Sequence, residues 1–184
     1  MATNIPSRVA HDVGLAAWFG GTLANAVALN RAAGETSNAS SAGRVANAGW
    51  DAWTPVNAAA IGAHIIGSIG QLRGNADRLT AQQGVGAMAI TKTVLTVAAL
   101  GVTAYSRVLG KKVSDAGSGP VESGTEPTDA TPDDVAVAQK QLKALQWAIP
   151  ALTGALVVVT AYAGEQQRPQ AVKEGILDRL NPLS

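Results

Sequence analysis

Two ionisable side chains stand inside apolar runs of this chain and have the greatest capacity for chemistry. His64 lies within PVNAAAIGAHIIGSIGQL, and Lys92 shortly precedes VLTVAALGVTAY. An ionisable group inside a membrane span is costly and normally faces the interior between helices, so it is a functional candidate by default. The segment 73–84 joins the two runs; His64 is eight residues before Leu72 and Lys92 eight after Gly84. At about 1.5 Å per residue both lie roughly 12 Å inside the same boundary. Counted in from Asp12, the first helix reaches Gly20 and Gly21 at about that depth, where a glycine pair permits close backbone approach or a kink. His64, Lys92, Gly20 and Gly21 together are the expected intramembrane polar site. Structural readings compete and lead: Lys92 can snorkel to headgroups or to a carboxylate such as Asp12 or Glu165. A lone neutral His64 can serve as a hydrogen-bonding packing residue.

The elements that position these residues are read from the apolar runs. Of the 184 residues 47% are hydrophobic, 15% charged and only 4% aromatic, so the apolar content is Ala, Val, Leu and Ile. A mean hydropathy of +0.13 hides the pattern because long polar loops dilute it. A span needs about 20 mostly apolar residues. Four segments meet this: 13–30, 54–72, 85–106 and 147–164. Thr54 and Pro55 read as N-cap and first position of the second, and Pro150 as a kink in the fourth. Trp50, Trp53, Trp147, Tyr105 and Tyr162 fall at the edges, where interfacial aromatics belong. A soluble helical protein of this size would carry charges along one face of each helix, and these runs carry almost none. The expected fold is all-α, a four-helix transmembrane bundle in the bacterial inner (plasma) membrane. The N-terminus lacks a short apolar core with a small-residue cleavage site, so the first run is expected to remain as a span rather than act as a removable leader.

Residues 111–134, with Gly, Ser, Thr, Pro and six acidic residues, read as a flexible acidic linker between helices three and four. Residues 135–146 resume helix-forming residues, so the fourth helix begins in the aqueous phase. The tail 165–184 suits a short interfacial helix. Four spans put both termini on one side, with six Lys and Arg on that side and seven on the other, which assigns no orientation. The second run repeats small residues at Ala59, Ala63 and Gly67, a face on which another helix can pack closely.

Composition also excludes. A formal charge of +1 offers no field for nucleic acid. The absence of Cys removes disulfides, thiolate metal sites and Cys nucleophiles, and His11 and His64 are too few for an all-histidine zinc site. No phosphate loop, dinucleotide fingerprint, zinc-protease or serine-hydrolase motif is present. Neither a cofactor nor a metal site is expected, and His11 at the boundary stands at a different height from His64, which disfavours a haem held between them.

The stretch HDVGLAAWFGG, residues 11–21, resembles the head of the first span in small uncharacterised four-span bacterial proteins and in copper-resistance-D-like membrane domains. The Ala-rich spans and the Thr/Asp/Pro-rich linker look like small actinobacterial membrane proteins. With no Cys and only Met88 in a span, a soft-ligand copper path finds no residues here. The leading functional expectation is a non-catalytic accessory subunit of a larger membrane complex, whose partners are the lipid bilayer and other membrane subunits. Second comes a small transporter or proton- or metal-handling protein using His64 and Lys92; third, a haem- or quinone-associated anchor.

Overall fold

The computed structural model describes residues 4–36, 38–117 and 121–180, and among them the chain is helical with no strand. Helix α1, Ile5–Ala24, continues through a π-helical turn, Asn25–Leu29, into α2, Asn30–Gly34. Then follow α3, Ala39–Gly74; α4, Ala76–Ala81; α5, Val85–Asp115; α6, Asp133–Glu165; and α7, Pro169–Leu180.

The starts of these helices have local causes. Pro6 opens α1, where its missing N–H is one of the unbonded donors of any first turn. Asn38 caps α3 by accepting from the Ser41 N–H at 2.8 Å. Gly84 precedes α5 at φ 81°, a left-handed conformation that a side chain would strain, and so allows the sharp turn out of α4. Asp133 and Asp134 lie in the first turn of α6, where negative charge favours the helix dipole.

Two of these boundaries correct the sequence reading. Pro55 does not begin a helix. It sits inside the 36-residue α3, and Thr54 donates its hydroxyl to the Trp50 carbonyl at 2.8 Å instead of capping. The Ala-, Ser- and Gly-rich stretch before Pro55 carries little apolar signal but is compatible with helix, so α3 runs straight through it. Helix α1 likewise starts about two turns before residue 13, which moves His11 from an edge to a helix interior.

The long helices pack as two pairs, α1 along α3 and α5 along α6; α1 against α6 joins the pairs, and α3 and α5 hardly touch. A core cluster takes one residue from each long helix: Trp18, Ala60, Ala99 and Ile149. The α1–α3 seam is set by small residues. A Cβ on Gly14 would lie 2.5 Å from the Ala60 carbonyl oxygen and from the His64 nitrogen, and one on Gly67 would lie 2.2 Å from the His11 nitrogen. The tight face of α3 is therefore Ala60, His64 and Gly67, whereas Ala59 is exposed. A strict four-residue repeat drifts round a helix of 3.6 residues per turn, and alternating steps of four and three keep contacts on one side.

Three helical segments, Ile5–Gly34, Val85–Asp115 and Asp133–Glu165, are long and apolar enough to cross a membrane. Helix α5 turns Ile90, Val94 and Val108 outward, each more than 60% exposed. Such a row is unfavourable in water and ordinary against lipid. The fold is that of an all-α integral membrane protein. Helix α3 is more polar than the other three because Asn57, His64, Ser68 and Gln71 interrupt its central run.

The segment between α5 and α6, read from sequence as linker, is shorter than expected because both helices extend into it. Its described part folds onto the helix ends. The Glu122 N–H donates to the Glu126 carbonyl at 2.9 Å, Glu126 pairs with Lys143 at 2.5 Å, and Val121, Thr125 and Thr131 are buried. Gly124 lies where a Cβ would come within 2.5 Å of Asn30 Oδ1, so this turn sits directly over the start of α2.

Candidate functional site

The α1–α3 seam buries two histidines together. His11 and His64 are both 0% exposed, and their ring centres are 4.5 Å apart at an interplanar angle of 44°. Trp18, also fully buried, presents its indole edge-on to His64 at 6.0 Å. Gly14 and Gly67 create this pocket: with side chains there the backbones would stand apart and the rings could not enter the seam.

Hydrogen bonds orient the rings. His11 Nδ1–H donates to Asp12 Oδ1 at 2.6 Å, and Asp12 is about half exposed. His11 Nε2 is buried with no partner. His64 Nδ1 meets the His11 carbonyl at 3.3 Å, which can only accept, so Nδ1 carries the proton. His64 Nε2 is then the acceptor for the Thr96 hydroxyl, 3.4 Å away on α5. Asp12, two imidazoles in tilted ring contact and Thr96 thus make a row of polar groups through otherwise apolar packing, from an exposed carboxylate to the α5 wall, with no hydrogen bond from one ring to the other.

Beyond Thr96 lies a cavity of about 330 Å³ between α3 and α5, bounded at its outer end by α4 and the C-terminal end of α6. Lys92, one turn before Thr96, lines it with Ser68, Gln71 and Arg78, and no carboxylate takes part. Gln71 Nε2 is buried and unpartnered there. Arg78 is held in place: its guanidinium donates to Gln82 Oε1, to Asn75 Oδ1 at 3.0 Å and to the Gln166 carbonyl at 2.8 Å, at the end of α6 where cations suit the helix dipole. Burial first, then the charge of Arg8, lowers its pKa from the ordinary arginine value.

The four residues expected to form one polar site separate. Lys92 and Thr96 line the cavity between α3 and α5, and His64 meets it through Thr96, the residue that touches the imidazole. Gly20 faces open space, and Gly21 accommodates the Trp53 ring two turns away from His64. The depth count failed on the first helix because it began at Asp12; with α1 starting at Ile5, Gly14 is the glycine level with His64. His11 was placed at a boundary for the same reason. The signal that identifies it is the alternation Ser7, His11, Gly14, Trp18, Gly21, steps of four and three that mark one face of a helix. The 4.5 Å between ring centres leaves no room for a porphyrin between them. Among the described residues no three of His, Cys, Asp and Glu group as a metal site.

Compared with known proteins, the chain matches no family model, no curated protein and no solved structure.

Proposed function

We propose that this chain is a four-span protein of the bacterial inner membrane that moves protons, with His11 and His64 as the relay and the Lys92 cavity as the chamber for a co-transported solute. The observation that carries this reading is the row of groups: an exposed carboxylate, two wholly buried imidazoles in ring contact, and a hydroxyl on the wall of a cavity that Lys92 and Arg78 also line. Imidazole is the side chain whose proton exchange lies nearest neutral pH, and buried ionisable groups between membrane helices commonly serve proton pathways. Two cations and no carboxylate line the cavity, which favours an anionic solute over a metal ion. The chain carries out no covalent chemistry in this reading.

The test is proton flux into liposomes holding a pH-sensitive dye, with purified protein reconstituted and a pH gradient imposed. Wild-type protein should dissipate the gradient, and His64→Ala and His11→Ala should each slow it by about tenfold or more, the scale of a lost proton-transfer group. Flux unchanged in folded His64→Ala protein would leave the relay without its central member.

A second reading, an accessory subunit of a larger membrane assembly, draws on the poorly packed face between α3 and α5. Purification in gentle detergent separates the two. A stoichiometric companion chain, with no flux by the isolated protein, favours the subunit.

A further inference from the structure

At the other end of the α3–α5 gap, beyond the core cluster, lies a second cavity of about 310 Å³. Its walls are largely apolar, with Ile61, Leu100, Leu142 and Ile149 among them. Its polar groups divide into two sets. Those nearest the π-helical turn satisfy one another: Trp50 Nε1–H donates to Asn30 Oδ1 at 3.1 Å, and Asn30 Nδ2 donates to Gln146 Oε1 at 2.6 Å. The charged residues at the wall also cancel, since Arg107 bonds Asp51 through both terminal nitrogens at 3.1 and 3.2 Å.

The second set is unsatisfied. Trp53 Nε1, Asn57 Oδ1, Thr103 Oγ1 and Ser106 Oγ are buried, find no partner among the described residues, and all belong to residues lining this cavity. Several other helix hydroxyls return to the carbonyl four residues back: Thr22, Thr54, Ser68, Thr91, Thr93 and Thr153. Thr103 and Ser106 do not, and among the described residues the one other buried hydroxyl without a partner is that of Thr160. A buried polar group without a partner is costly, and clusters of them require an explanation at that place.

We infer that this cavity binds a neutral, lipid-soluble molecule bearing carbonyl oxygens on an apolar body. Three of the four unpartnered groups can donate, the indole N–H only donates, and a carbonyl oxygen accepts from each of these three, while the fourth, Asn57 Oδ1, is itself an acceptor that a carbonyl does not satisfy. A charged ligand finds no free counter-charge, because Asp51 and Arg107 already hold each other. The apolar remainder suits a hydrocarbon body, and the cavity is large enough for a ring or a glycerol ester region. The inference stands apart from the proton relay, which lies at the other end of the gap and shares none of these residues.

Trp50 and Trp53 in the wall supply the readout. Purified protein in nanodiscs is titrated with decylubiquinone, and in parallel reconstituted with phosphatidylcholine brominated on its acyl chains, while tryptophan fluorescence is followed. Saturable quenching by the quinone assigns the site to ring carbonyls. Quenching by the brominated lipid alone, in excess of that expected from bulk lipid contact, assigns it to ester carbonyls. In either case Thr103→Val with Ser106→Ala should weaken binding by about fivefold or more per hydroxyl. Gly110→Phe should abolish it, because Gly110 lines the cavity and has no atom within 4 Å of its Cβ position, so the ring enters empty space without a clash. Quenching that rises linearly without saturation, or that is identical in wild type and both variants, overturns the inference.

Discussion

His64 and Gly67 occupy one face of α3, and at that scale the seam is intolerant of added atoms. Gly67→Ala places a methyl 2.2 Å from the His11 nitrogen and 2.5 Å from the Ser7 carbonyl, both backbone atoms that cannot rotate away. The helices must separate, and the loss should be about 1–3 kcal/mol, read as a lower unfolding midpoint in detergent. Gly20→Ala is the contrasting case. Nothing lies within 4 Å of its Cβ, and the substitution should stabilise by about 0.5 kcal/mol through backbone entropy. A reversed order of the two midpoints would contradict the packing described. The expectation of equal height for His64 and Lys92 was open to a sequence reading because a single segment joins their helices. The pairing with His11 was not, since Arg8 and Asp12 resemble the flanks of a span when they are the first charged turns of a helix already under way.

At the scale of elements, α4 and the loop around it hold the end of α6. Arg78 and Gln82 both donate to the Gln166 carbonyl, at 2.8 and 3.0 Å. Arg78→Ala removes the charged donor and should cost about 1–2 kcal/mol, with faster hydrogen exchange concentrated in the last turn of α6 and the start of α7. Uniform exchange across the chain would argue against a local clasp. The apolar runs made the long helices legible, because uninterrupted stretches of Ala, Val, Leu and Ile leave no other solution at this length. The first fifteen residues of α3 were not, being small and polar without a periodic apolar face. The π-helical turn at Asn25–Leu29 has no signature in its Asn-Ala-Val-Ala-Leu sequence.

For the whole molecule, the proposed four-span arrangement, in which α3 crosses along with the three apolar segments, makes a sharp prediction that the natural absence of Cys allows to be tested cleanly. Single cysteines at Ile5, Arg73 and Lys173 should react with an impermeant thiol reagent from one face of the membrane, and those at Glu35 and Asp129 from the other. Labelling of positions 35 and 73 from the same side would show that α3 does not cross. Topology of this kind follows from segment count, and so was open to a reading of the sequence; the unequal contacts between helices were not, since they depend on which small residues meet. The turn around Gly124, seated over the start of α2 and tied down by Glu126 and Lys143, has a consequence for traffic. Gly124 and Thr125 form part of the wall of the second cavity, whose flank lies where α3 and α5 hardly touch. A lipid-soluble ligand of the kind proposed would reach that flank sideways out of the bilayer, at a rate governed by its solubility in lipid and not by its concentration in the surrounding solution.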